Sequence, residues 1–175
     1  MNVLRRLGHS VEVASEWSGH IAKWLVPVLV VAIVYEVLVR YLFNAPTNWS
    51  YIVGYMLGTC VIALGLPHVY LHRGNVRVDV IYSKLPEAAR QWMDLALTAI
   101  LSLPMLALLL VMFTSDTVTS YRLQEVATES TWYPKLWPFK TVLSFTFLLL
   151  FVEAVVRFAR DIQSALGKGR EHAES

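Results

Sequence analysis

Cysteine and charge are both scarce in this sequence of 175 residues. Its one cysteine, Cys60, excludes an intramolecular disulfide framework and a cysteine-rich metal site. Charged residues make up 16% of the chain, whereas soluble domains usually carry about 25%. The formal net charge of +2 is too small for a nucleic-acid binder, which needs a concentrated basic patch. Most of the charges lie between long apolar stretches, and this layout is typical of a membrane protein.

Four apolar stretches are long enough to cross a bilayer, which takes roughly 20 residues of helix. They are residues 24–43, 49–71, 95–113 and 137–156. Backbone groups in lipid must be hydrogen-bonded within the protein, and these runs lack the alternation of a membrane barrel strand. The sequence therefore predicts an all-α integral membrane protein with four transmembrane helices, forming a single membrane domain over residues 1–175.

Lysine and arginine are distributed unequally between the two sides of the predicted membrane. Residues 1–23, the second connection and the tail at 157–175 hold 11 of the 15 basic residues, and the opposite side holds 4. Because cytoplasmic flanks carry the excess of Lys and Arg, we predict that both termini are cytoplasmic. Residues 1–23 lack the apolar core and cleavage site of a signal peptide, and their apolar residues recur at helical spacing. We expect an amphipathic helix there, in the inner membrane interface.

Two Glu/Arg pairs at i, i+4 spacing lie within the spans or at their ends: Glu36 with Arg40, and Glu153 with Arg157. An ionisable side chain inside a membrane is costly, so Glu36 needs a partner. Glutamate N-terminal to arginine is the favourable order at this spacing. The first pair either neutralises itself or faces another subunit, and a part in ion or substrate passage is the weakest interpretation. For the second pair, near the inner boundary, we expect self-neutralisation.

The second predicted span has glycines on one face. Gly54 and Gly58 form a GxxxG motif, and Gly65 shares their face. Glycines let another backbone approach closely, either inside this bundle or in another subunit. In the third span, Pro104 removes a backbone donor and is predicted to kink the helix.

Three histidines raise a second class of function. His68 and His72 are one helical turn apart, and His20 precedes the first span. Two imidazoles at this spacing can share a metal, and His20 with His68 can serve as axial haem ligands from two helices. The sequence has no P-loop, GxSxG or HExxH motif, so we predict no catalytic, substrate-binding or metal site. A haem-bearing or redox membrane anchor is the main alternative function, and a small channel or exporter is the next.

Two segments carry short motifs in a specific order. The first is RYxFN followed by Pro and Trp, matched by Arg40, Tyr41, Phe43, Asn44, Pro46 and Trp49. The second lies in the connection after the second span and is matched by Gly74, Val76, Arg77, Val78 and Asp79. With these motifs the chain resembles the small membrane subunit of tripartite ATP-independent periplasmic (TRAP) transporters, the DctQ-like family. Asn75 stands where that family usually has His, which leaves the four-span topology intact.

The resemblance implies an accessory role in organic acid uptake across the bacterial inner membrane. In such systems a periplasmic binding protein captures the substrate, and a large sodium-coupled membrane subunit moves it. The resemblance implies that the small subunit is a fixed scaffold for the large one and holds no cofactor. Sodium is expected on the large subunit. We expect the large subunit to contact Glu36, Arg40, Gly54 and Gly58. We also expect a structural motif in the inner connection, formed by Arg73, Asn75, Arg77 and Asp79.

Overall fold

Four long helices make up the described part of the fold. The computed structural model describes residues 2–44, 47, 49–72, 87–128 and 132–171. Helix α1 is Asn2–Phe43, α2 is Ser50–Leu71 and α4 is Trp137–Glu171. Helix α3 consists of Glu87–Leu97, a π-helical turn at Thr98–Ser102, and Leu103–Leu123. All four are long and apolar enough to cross a membrane, which confirms the predicted all-helical fold with four candidate spans.

The helices form an open layer in the spatial order α1, α2, α4, α3. Among the described residues, α1 packs mainly on α2, α2 packs on α4, and α3 packs on α4 alone. In the most apolar stretch of α4, 39% of the residues are buried, against 6% in α1 and in α3. Helix α4 is therefore the centre of the layer, and the two outer helices turn most of their surface away from the protein.

The sequence predicts a separate helix over residues 1–23, called the arm here, and a span that starts at residue 24. Helix α1 differs from this arrangement. It runs without a break through Lys23 and Trp24, and its 42 residues measure about 63 Å at 1.5 Å per residue. The arm, residues 2–23, continues the span and packs against α4, so it is not a separate helix lying across the bundle end. An interfacial location for the arm and a cytoplasmic location for both termini stay predictions.

The arm packs through its small residues. Ser15, Ser18 and Ala22 are buried, whereas Trp17 and Trp24 are exposed. Membrane helices pack in this way, because small residues allow close approach while large apolar residues face outward. The apolar spacing of the arm predicts a helix correctly, but the buried face is the one with the small side chains.

Helices α3 and α4 extend beyond their predicted ends. Helix α3 continues past residue 113 to Leu123, through a stretch whose Ser and Thr content favours a loop. Two of these side chains, Thr117 and Thr119, donate to the carbonyls of Phe113 and Ser115 one turn earlier, at 2.8 and 2.9 Å. Satisfied in this way, the hydroxyl groups do not interrupt the helix. Helix α4 likewise continues through most of the predicted tail to Glu171.

The π-helical turn of α3 ends two residues before Pro104. Pro104 has no N–H to donate to the carbonyl of Ile100, and its ring crowds that carbonyl. A widened π turn accommodates this conflict, and π turns are a recognised cause of bends in helices. The irregularity therefore lies where the sequence predicts a kink.

Candidate functional site

The corner between α1 and α2 is organised by Glu36. Arg40 donates to Glu36 Oε1 through Nη2 at 2.7 Å and Nε at 3.2 Å. Thr47, in the connection to α2, donates its hydroxyl to Glu36 Oε2. The carboxylate is buried, with 7% of the residue exposed, whereas 58% of the Arg40 side chain is exposed. The structure thus contains the self-neutralising pair, and the same carboxylate also holds the connection that follows.

Aromatic side chains complete the corner. Tyr35 stacks on Trp49, with ring centroids 5.9 Å apart, which fastens the start of α2 to α1. Asn44 leaves the helix with a left-handed φ of 53°, a conformation that asparagine tolerates better than most residues. Tyr41 and Phe43 in the last turn of α1 are 81% and 73% exposed. The corner therefore presents aromatic rings and a half-exposed guanidinium on a fixed backbone.

The glycine face of α2 is largely open. A Cβ atom built on Gly54 or Gly65 meets nothing within 4 Å, and one built on Gly58 meets only Leu29 Cδ2 at 4.0 Å. Of the two interpretations of the GxxxG motif, close packing inside this chain is therefore not what the described residues show. Contact with another subunit stays a hypothesis.

The second predicted Glu/Arg pair does not form. Ser15 in the arm donates to Glu153 Oε2 at 2.9 Å. Arg157 donates to the carbonyls of Tyr70 and Leu71 at 2.7 and 2.8 Å and lies over the Tyr70 ring. The last carbonyls of a helix have no partner within it and carry partial negative charge, so they compete successfully for the guanidinium. The hydrogen bonds of Glu153 and Arg157 thus go to other helices and join three helices together.

Close contacts hold the arm against α2 and α4. Arg160 forms an ion pair with Glu12 at 2.5 Å, and the Arg160 guanidinium lies directly against Gly8. At Gly19 a Cβ atom would lie 2.5 Å from the His68 ring. Among the described glycines, Gly8 and Gly19 allow close approach inside this chain, and those of the GxxxG motif do not.

The histidines take part in local contacts. Nδ1 of His72 is 3.0 Å from the carbonyl oxygen of His68, and the two rings lie 4.4 Å apart. Nδ1 of His20 is 2.9 Å from the carbonyl oxygen of Glu16. Within the described part of the chain, no group of three or more His, Cys, Asp or Glu side chains is placed to hold a metal ion. The predicted inner motif, Arg73, Asn75, Arg77 and Asp79, lies outside the described residues.

A charge cluster that the sequence analysis missed fixes the connection between α3 and α4. Lys140 Nζ lies 3.0 Å from Asp116 and 2.8 Å from Glu125. The hydrogen bond from Lys140 lowers the pKa of the Glu125 carboxyl. Backbone hydrogen bonds from Ala127 to Pro134 and from Leu136 to Glu125 close the connection. The three charges lie far apart in sequence, so the cluster could be found only once α3 and α4 were paired.

This cluster makes the stability of the connection depend on pH. Since the pKa of Glu125 is lowered in the folded chain, its stabilising effect is present above the ordinary value near 4.5. That effect is lost as the pH falls through the lowered pKa. We expect Lys140→Met to reduce the thermal unfolding temperature modestly at pH 7, and the difference from the native chain to shrink in acid. Lys135→Met, which removes the same charge beside neither carboxylate, is the control, and a pH-independent difference would contradict the assignment.

The comparisons with known proteins agree with the geometry. A search of curated proteins and one of solved structures found no significant match. A family model, the DctQ component of tripartite ATP-independent periplasmic transporters, matches residues 29–164. The matched region contains the Glu36 corner, the glycine face of α2, and all of α3. Because the match covers well over half of the chain, this multi-pass membrane protein belongs to the DctQ family, a family of transporter components and not of enzymes.

Proposed function

We propose that this chain is the small scaffold subunit of a TRAP-type secondary transporter in a bacterial inner membrane. Its partners would be a large sodium-coupled membrane subunit and a periplasmic binding protein, and the transported compounds organic acids. The observation that carries the proposal is the DctQ family match over residues 29–164. The inner motif at Arg73, Asn75, Arg77 and Asp79 would then have a structural role in assembly.

The form of the described helices supports a role in assembly over a role in transport. Secondary transporters usually bind substrate where membrane helices are interrupted, because free backbone groups there contact the substrate or ion. Helices α1, α2 and α4 are continuous through their candidate spans, and α3 departs from α-helix at Thr98–Ser102 alone. A chain of this kind can hold a partner in place, while the partner supplies the substrate site.

The α1–α2 side of the layer is the surface we assign to the large subunit. Its polar anchor is Arg40, which is held by Glu36 yet keeps more than half of its side chain exposed. Its close-packing anchor is Gly54, which has open space beside it. Exposed Tyr and Arg side chains are common among the residues that dominate binding energy at interfaces. Tyr41 adds such a side chain one position from Arg40.

Gly54→Leu tests this surface most directly. A Cβ atom at this position has open space around it in its own chain, so the four helices should insert and fold normally. Overpacking a close contact costs about 1–3 kcal/mol, so we expect binding of the large subunit to weaken roughly 5- to 150-fold. The measurement is co-purification of the large subunit from membranes with equal amounts of the small one.

Gly65→Leu is the matched variant, because it makes the same change in open space near the other end of α2. If Gly54→Leu loses binding and Gly65→Leu keeps it, the contact lies near the corner. If each single variant loses binding, the contact extends along α2. If neither variant reduces co-purification, the assigned surface is wrong. The scaffold role itself is tested by reconstituting the chain alone in vesicles, where uptake of an organic acid would overturn it.

A further inference from the structure

Glu153 is the most unusual polar residue of the layer. Only 5% of it is exposed, and it lies near the middle of α4, where the arm and the end of α2 pack against that helix. Its Oε2 atom accepts the hydrogen bond from Ser15, whereas Oε1 has no hydrogen-bond partner among the described residues. Buried carboxylate oxygens without a donor are rare in native structures, since their desolvation is not compensated. This oxygen therefore calls for a donor other than the described side chains.

A small cavity lies beside this carboxylate. It is bounded by the arm, α4 and the end of α2 and is partly open to the outside, and Glu153 lines it together with Val11 and Leu71. Its volume of about 30 Å³ exceeds the roughly 10–15 Å³ that one water molecule requires. Glu153 is one of the lining residues, and because Ser15 already occupies Oε2, Oε1 is the carboxylate oxygen left to accept a further hydrogen bond there.

The charges around the cavity decide which kind of molecule fits. Two carboxylates, Glu12 and Glu153, and two guanidinium groups, Arg157 and Arg160, line it. A cation would lie close to both guanidinium groups, and an anion would lie close to both carboxylates. A neutral molecule that both donates and accepts hydrogen bonds satisfies both signs of charge. Each terminal guanidinium nitrogen carries two hydrogens, so Arg157 can donate to such a molecule while still bonded to α2.

We propose that this cavity binds one ordered water molecule that exchanges slowly with bulk solvent, donates a hydrogen bond to Glu153 Oε1 and thereby joins the arm to α4. The water completes a polar junction whose protein members are Ser15 from α1, Glu153 and Arg157 from α4, and the last carbonyls of α2. Attachment of the arm thus depends on a bound solvent molecule as well as on the Ser15 hydroxyl.

Radiolytic labelling with isotopic water tests this site on the full chain in lipid nanodiscs. The protein is equilibrated in ordinary water, mixed rapidly with ¹⁸O water, and exposed to a short X-ray pulse. A bound water that exchanges slowly should place ¹⁶O on Val11 or Leu71, which line the cavity. Val13, on the same helix but exposed to the outside, is the control and should take up ¹⁸O from bulk solvent. Labelling of both cavity residues with ¹⁸O alone would overturn the proposal.

Glu153→Met removes the acceptor and is the second test. The ¹⁶O label at the cavity should disappear, and labelling of Val13 should be unchanged. Retention of the ¹⁶O label in the variant would show that Glu153 does not hold the water, which contradicts the proposal. If the variant fails to fold, the isotopic labelling of the native chain still decides whether the cavity holds a bound water.

Discussion

Replacing Arg157 with methionine should release the end of α2 from α4. The variant loses two hydrogen bonds from a charged donor to the carbonyls of Tyr70 and Leu71. Such bonds contribute about 1.5–3 kcal/mol each, so we expect the free energy of unfolding to fall by roughly 3 kcal/mol or more. For a chain of this length, that loss lowers the unfolding temperature by roughly 6–12 °C. Thermal unfolding of the purified chain in detergent measures the effect.

Arg160→Met is the control, because it removes the same side chain one turn later on the same helix. Its ion pair with Glu12 is about half exposed, and exposed pairs contribute about 0–1 kcal/mol. Arg157→Lys should recover only part of the loss, since a single ammonium group does not reproduce a two-pronged guanidinium contact. Equal losses for Arg157→Met and Arg160→Met would show that the contact with α2 contributes little.

The second large effect concerns Glu36. Glu36→Leu leaves Arg40 and Thr47 without their shared acceptor, so the corner should loosen and both chain stability and binding of the large subunit should fall strongly. Replacing both charged residues, Glu36→Leu with Arg40→Leu, leaves no unpaired charge. Because an apolar pair often substitutes for an ion pair without loss, the double variant should recover most of the chain's stability.

Measuring binding of the large subunit distinguishes a corner that only stabilises this chain from one that also contacts the partner. If Arg40 anchors the large subunit, the double variant should unfold near the native temperature and still fail to co-purify with its partner. Recovery of both stability and binding would mean that the corner acts only inside this chain. Both quantities can be measured on the same preparations, with the native pair as reference.

Local sequence patterns predict the features of this protein that depend on residues close together in the sequence. Apolar length identifies the four helices because only helices and closed β-barrels satisfy the backbone in lipid, and these runs lack the alternation of barrel strands. The i, i+4 spacing identifies the Glu36–Arg40 pair because both residues share one helix. The same rule fails for Glu153 and Arg157, since the carbonyls that bind Arg157 come from a helix more than 80 residues away in sequence.

The ends of the helices are harder to predict from the sequence than the helices themselves. Composition suggested an end to α3 near residue 113, but hydroxyl groups such as Thr117 bond to their own helix and let it continue. The change from apolar to charged residues near Lys23 suggested a separate arm, but a change in polarity does not break a helix. The face of the arm that packs could not be read from apolar spacing, because close approach depends on small residues such as Ser15 and Gly8.

The central place of α4 has a consequence for synthesis. The ribosome makes this helix after the other three, yet it is the one that joins α2 to α3 in the layer. When α3 enters the membrane, α4, the helix on which it mainly packs, has not yet been made. The first two helices can pair as soon as they are inserted, whereas α3 waits for α4. Assembly of these four helices in the membrane is therefore completed by α4.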